Sequence, residues 1–194
     1  MDLQQHLSSK RDQGLILGVP AISLVGRESG KPYLSSVNLV EAIARYTCRF
    51  SGHRFLIAVD GLYGAGKTTL ARSILRALST KGIETLLIST DDFMKYSRQE
   101  RRLTRDRFLD HPNWYDMEDI CAFVEIVKKP GTEKVHLVQL YNHVNGEKDR
   151  ELTLLMSSVK GIILEGMYAL HQLVYPYVDL SLMLVAGDNV LMER

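Results

Sequence analysis

Residues 55–69 read FLIAVDGLYGAGKTT, an apolar run that breaks into glycines and then into Lys-Thr-Thr. The first six residues have strand composition, and their lack of strict polar alternation suits a strand covered on both faces. Gly61, Gly66, Lys67 and Thr68 then satisfy G-x-x-x-x-G-K-[ST] at every fixed position. Beyond them Leu70, Ile74, Leu75 and Leu78 form the apolar stripe of a helix over 67–81, which Gly82 is placed to stop. A strand, a glycine loop and a helix in this order are the setting in which the motif's physics works. Successive backbone N–H groups wrap an anion, the helix N-terminus adds partial positive charge, and glycine allows close approach. Gly61, Leu62, Tyr63, Gly64, Ala65, Gly66, Lys67, Thr68 and Thr69 are therefore the predicted cradle for the phosphates of a nucleotide. Lys67 would reach the β- and γ-phosphates, and the Thr68 hydroxyl would ligate Mg²⁺. Thr69 reads as a helix-start hydroxyl.

Working outward, runs of the same kind recur at 84–89 (ETLLIS), 135–141 (VHLVQLY), 161–164 (GIIL) and 180–185 (LSLMLV). They alternate with helical stretches. Residues 116–129 carry Ile120, Phe123, Val124 and Val127 on one face, with acids first and lysines last. A further helix through Val40, Ile43, Ala44 and Thr47, capped by Ser36 or Asn38, should pack on the sheet edge. The pattern predicts an α/β class, a P-loop NTPase fold with a mostly parallel five-stranded sheet and helices on both faces. Residues 35–194 form its domain. Residues 1–34 read as an appendage, a small hairpin or a partner-binding arm.

Bulk properties narrow the functional classes. With 194 residues, 45% of them apolar, one buried core is expected. Lys and Arg number 24 against 23 Asp and Glu, so no net field recruits a polyanion and nucleic acid is not an expected partner. No apolar run nears the roughly 18–20 residues that cross a bilayer, and residues 1–11 lack the apolar centre of a signal peptide. No membrane association and a cytoplasmic location are the expectations, with a homo-oligomer left open. Cys48 and Cys121 have no metal-ligand spacing and read as small core residues in a reducing compartment.

A phosphate cradle by itself implies binding. Phosphoryl transfer also needs a metal site and a group that takes the acceptor's proton. Asp91 and Asp92 follow 84–90 directly, and Glu165 ends the run at 161–164. Both places are carboxyl ends of strands, the edge where open α/β sheets bind ligands.

These elements together, Gly61 to Thr68, Asp91-Asp92-Phe93, Asp110-His111-Pro112 with Asp116 six residues beyond the first Asp, Tyr141-Asn142 and Glu165-Gly166, resemble the uridine kinase family and its relatives phosphoribulokinase and bacterial pantothenate kinase. The resemblance runs in order from about residue 55 to the C-terminus. It implies an ATP- and Mg²⁺-dependent kinase acting on a hydroxyl of a small-molecule acceptor, a nucleoside first. It further implies that Asp91 is the general base near the metal, with Lys67 beside it in catalysis. Thr68, Asp91 and Glu165 would surround Mg²⁺, Asp110 would bind ribose hydroxyls, and Tyr141 would line the acceptor pocket. Trp114 and Tyr115 read as packing residues.

Two departures bear on the acceptor. Gly146 stands where the family has a His that helps read the pyrimidine, and Lys148 takes an Arg position. A kinase for a non-nucleoside alcohol such as pantothenate, glycerate or a sugar phosphate is therefore an alternative, as is a catalytically weak nucleotide-binding regulator. The family's Arg-rich lid follows the last strand. Here Asp188 or Asn189 would cap a helix that stops at Arg194, as though the sequence ended before or within the lid. The substitute candidate is 95–107, with Lys95, Arg98, Arg101, Arg102, Arg105 and Arg107 against Glu100 and Asp106. A solvated helix is the plainer reading of that run.

Overall fold

The computed structural model describes residues 21–24, 36–50, 52–103 and 111–185. Strand β1 is Ala21–Leu24 and helix α1 is Ser36–Thr47. Strand β2 (Phe55–Gly61) leads through the glycine loop into α2 (Lys67–Ser79). Strand β3 (Thr85–Ser89) runs into a 3-10 turn, Thr90–Phe93, and then a short helix, α3 (Arg98–Leu103). A second 3-10 turn, His111–Trp114, precedes α4 (Met117–Lys128). Strands β4 (Lys134–Leu140), β5 (Arg150–Leu155), β6 (Gly161–Glu165) and β7 (Leu180–Leu184) complete the described elements.

Five strands form one parallel sheet in the order β1-β7-β2-β6-β3. Successive side chains of a strand point to opposite faces, and β2 uses both. Leu56 and Ala58 join Ile88, Ile162 and Leu164 under α4, which contributes Ile120, Phe123, Val124 and Val127. Phe55, Ile57 and Val59 face the other way with Ile163, Leu180 and Leu182, covered by Leu39, Ile43 and Ala44 of α1 and Ala71, Ile74 and Leu78 of α2. The fold is thus the α/β class expected, with helices on both faces.

Strand membership differs from the sequence expectation in one exchange. The run at 135–141 is absent from the main sheet. It forms β4, paired antiparallel with β5 in a separate two-stranded ribbon. The physical reason is visible in β4 itself, where Lys134, His136 and Gln139 are exposed while Val135 and Leu140 are buried. That pattern suits a strand with one wet face. The fifth place in the sheet goes to β1, which lies in the stretch read as an appendage and pairs with β7 from Ala21↔Ser181 to Leu24↔Leu184. The two thiols also differ from expectation. Cys48 lies just past the end of α1 and is exposed, and Cys121 is half-buried with its Sγ on the Leu173 carbonyl. The expected helix after Asp188, and Arg105 and Arg107 of the basic run, lie outside the described residues. Among those described, no helix is long and apolar enough to cross a membrane.

Candidate active site

The register of the sheet assembles the site. Glu165, the last residue of β6, lies between Val59 of β2 and Ser89 of β3, so the carboxyl ends of three strands open into one cavity. The cavity holds about 730 Å³ and is lined by the glycine loop, Lys67, Thr68, Asp91 and Glu165, with Met94, Arg101, Trp114 and Tyr115 across from them.

The loop has the conformation that its glycines permit. Gly64 and Gly66 have φ of 76° and 91°, values a side chain would strain, and Gly66 leads directly into α2. Lys67 Nζ donates to the Leu62 carbonyl at 2.9 Å, an ammonium folded across the loop where phosphate oxygens would compete for it. Thr68 Oγ1 lies 3.2 and 3.1 Å from the two Glu165 oxygens and donates to that carboxylate. Gly61 and Ala65 belong to the backbone of the loop. Thr69 lines the cavity mouth, and its carbonyl accepts from Ser73 Oγ as in an ordinary first turn.

Glu165 is 7% exposed. Burial raises its pKa above the ordinary carboxyl value and the Asp91 charge adds to the rise, while hydrogen bonds from Thr68 and Ser89 and the Lys67 ammonium oppose it. Asp91 sits in the 3-10 turn after β3, its backbone N–H donating to Ser89 Oγ at 3.3 Å. The Tyr115 hydroxyl donates to Asp91 Oδ1 at 3.0 Å. Burial first, and then the adjacent Asp91 charge and hydrogen bond, push the Tyr115 phenol far above its usual pKa, so it stays a protonated donor. Asp92, the neighbouring acid, has a different job. It is buried, pairs with Arg150 at 2.6 Å and lies 3.3 Å from His143 Nε2, which ties the β4–β5 ribbon to the turn that carries Asp91.

Of the residues expected in the site, the structure brings together Leu62, Tyr63, Gly64, Gly66, Lys67, Thr68, Thr69, Asp91 and Glu165. Asp110 lies outside the described residues. Tyr141 is 3% exposed and stands behind the cavity wall, its hydroxyl accepting a hydrogen bond from Arg101. Arg101 is the group at the surface. Its guanidinium lies 4.7 Å from the Tyr141 ring centroid and 5.8 Å from that of Trp114. Trp114 and Tyr115, read from sequence as packing, do pack, Tyr115 within the buried core and Trp114 against it, and both also line the cavity. The contact of Tyr115 with Asp91 has no local sequence signal, because 24 positions separate the partners, and Trp114 meets Arg101 from a different element.

Gly146 also has a structural explanation. It has φ of 84°, its carbonyl accepts from Arg98 N at 2.7 Å, and a Cβ there would come within 2.6 Å of the Arg98 side chain. A larger residue at 146 is incompatible with α3 in this place. The His143 ring stands nearly perpendicular to that of Tyr141, and its Nε2 faces Asp92.

The donor set fits the groups the fold implies. Thr68, Glu165 and Asp91 offer only oxygen, the preference of Mg²⁺, which keeps waters and phosphate oxygens in its other positions. Among the described residues no cluster of three or more His, Cys, Asp or Glu side chains forms an all-protein metal cage. Lys67, the two positive-φ glycines and the N-terminus of the 13-residue α2 suit a polyphosphate.

A parallel sheet with this loop between β2 and α2, and with acids at the neighbouring strand ends, defines a P-loop nucleotide-binding protein. The family model described as "Phosphoribulokinase / Uridine kinase family" matches residues 56–194, and the chain belongs to that family. Uridine-cytidine kinase D of Dictyostelium discoideum is 29% identical over 134 residues, 69% of this chain and 24% of that protein. The uridine kinase of Mycoplasma genitalium is 27% identical over 113 residues, 58% of this chain and 51% of that one. The chain thus spans about a quarter of the one relative and about half of the other. In fold, it is similar to a structure described as a possible uridine kinase from Bacillus stearothermophilus, with TM-score 0.62, 20% identity, and 80% of this chain and 84% of the other covered.

Proposed function

We propose that this chain is an ATP-dependent kinase that transfers the γ-phosphate to a hydroxyl of a small metabolite. The observation that carries the reading is the single cavity shared by Lys67, Thr68, Asp91 and Glu165. Lys67 leaves the Leu62 carbonyl for the β- and γ-phosphates. Thr68 and Glu165 would hold Mg²⁺, which would neutralise charge on the phosphate oxygens. Asp91 takes the proton of the acceptor hydroxyl as its oxygen attacks phosphorus. Arg101, held near the rings of Trp114 and Tyr141, supplies a second cation on the acceptor side, the role sought for the basic run at 95–107.

A nucleoside acceptor is favoured by the two relatives named as uridine kinases. A non-nucleoside alcohol carrying a carboxylate or phosphate is the second reading. Arg101 on the cavity wall favours it, and so does the lack of a side chain at Gly146.

A coupled assay of ADP release with ATP and Mg²⁺ separates these readings. Uridine and cytidine should be tried beside pantothenate, glycerate and ribulose 5-phosphate. Release with uridine or cytidine supports the first reading, and release with the anionic alcohols alone supports the second. Tight ATP binding with no acceptor-dependent release would replace both with a nucleotide-binding regulator.

A further inference from the structure

The Asp91 carboxylate is held from outside its own element. Residues 93–95 and 114–116 lie antiparallel, with a bridge between Met94 and Tyr115, Asp116 N donating to Phe93 O at 2.8 Å and Lys95 N donating to Trp114 O at 2.7 Å. This backbone pairing leaves Tyr115 no freedom of register, and the residue is 4% exposed. From the other side the Tyr168 ring meets it edge-on, centroids 5.4 Å apart at 64°. Tyr168 has φ of 64°, a left-handed conformation that costs a bulky residue free energy unless its surroundings impose it. It lies three residues past Glu165, so the strand end bearing one acid of the site also braces the ring that touches the other. The hydroxyl at the end of this braced ring donates to Asp91 Oδ1.

We infer that Tyr115 is a positioning residue for phosphoryl transfer, fixing the rotation of the Asp91 carboxylate and leaving Oδ2 to take the acceptor's proton. The inference rests on the kinase reading above. In the step itself the acceptor O–H proton passes to Oδ2, the acceptor oxygen bonds to the γ-phosphorus, and the bond from that phosphorus to the β–γ bridging oxygen breaks, releasing ADP. Tyr115 exchanges no proton. By occupying Oδ1 it removes the carboxylate's rotational choice, and misplacement of such a group by about 1 Å costs about a hundredfold in rate.

The test is a kinetic double-mutant cycle of Tyr115→Phe with Asp91→Asn. It uses ATP, Mg²⁺ and uridine, or whichever of cytidine, pantothenate, glycerate and ribulose 5-phosphate the wild-type chain phosphorylates fastest. Tyr115→Phe keeps the ring and its packing, so Tm and the Kd of a fluorescent ATP analogue should stay near wild type. The KM for ATP should hold within about twofold while kcat falls about tenfold to a hundredfold. In the Asp91→Asn background the same change should cost almost nothing, because the carboxylate it orients is gone. Three outcomes overturn the inference: wild-type kcat in Tyr115→Phe, an equal loss in both backgrounds, or loss of nucleotide binding along with kcat. Failure of the kinase reading looks different, since then the wild-type chain itself releases no ADP with any acceptor.

Discussion

Asp91→Asn keeps the size of the side chain and its place beside Tyr115 but removes the oxygen that, on the kinase reading, takes a proton. Nucleotide affinity should therefore survive while acceptor-dependent ADP release falls by about 10²–10⁴, a split that equilibrium binding and steady-state kinetics read directly. Glu165 offers a test without turnover. Its carboxylate is raised in pKa chiefly by burial, so the folded chain binds that proton more tightly than the unfolded chain does. Stability then declines as pH rises from the ordinary glutamate value of 4.5 through the raised folded one. In Mg²⁺-free buffer Glu165→Gln should raise Tm at pH 8, and the gain should vanish below about pH 4. A Tm gain independent of pH would mean that desolvation of the charge is not the cause. A residue kept at a cost to stability is what a metal-side acid is expected to be.

At the scale of the element, α3 is the piece whose loss would, on the kinase reading, disable the acceptor side without disturbing the glycine loop. It has only six residues and none is buried, so its ends matter more than its propensity. Ser97 and Glu100 form a reciprocal cap, Ser97 N donating to Glu100 Oε2 at 2.7 Å and Glu100 N to Ser97 Oγ at 3.2 Å. These bonds hold the Glu100 pKa below its ordinary value, the backbone bond first. The cap is complete above the unfolded-state pKa and is lost as pH falls through the lowered folded one. Ser97→Ala should fray the helix by about 1 kcal/mol, seen as faster amide exchange at residues 101–103. It should also lower kcat through Arg101, while the nucleotide Kd stays unchanged. Unchanged exchange would show that Arg101 is held by its rings alone. The capping pair Ser-x-x-Glu was readable in the chain, yet the basic run around it reads equally as a solvated surface. Only the rings of Trp114 and Tyr141 distinguish the two.

At the scale of the whole molecule, one side chain fastens the end of the sheet opposite the cavity. The Arg54 guanidinium donates to the carbonyls of Val159, Val127, Lys129, Thr132 and Met156, at 2.6 to 3.4 Å. It thereby gathers the end of α4, the approach to β4 and the approach to β6. Arg54→Met strands several of these acceptors and should destabilise by about 3 kcal/mol, or roughly 6–12 °C in Tm. Lys should rescue poorly, lacking the planar fork. A loss below about 1 kcal/mol would mean that water replaces the fork. In the core, Ile162→Ala should cost about 2–5 kcal/mol because Ile162 is fully buried between β2 and β3. Chemical denaturation would measure it, with little change in the nucleotide Kd of the folded fraction.

Sequence alone determined the glycine loop between strand and helix, the class of the sheet around it and the two strand-end acids. Each of these is written in consecutive residues: an apolar run, glycines at set spacing, an amphipathic stripe, an acid where a strand must stop. Tertiary structure decided what consecutive residues do not encode. It placed β1 beside β7 and sent 135–141 into a ribbon, since strand partners are chosen by the faces left to cover rather than by the strand's own composition. It moved Tyr141 behind Arg101, made Arg54 a clasp, and set the Tyr115 hydroxyl on Asp91. Such contacts join residues tens of positions apart and carry no local signature, so only the packed chain shows which acid is held and by what.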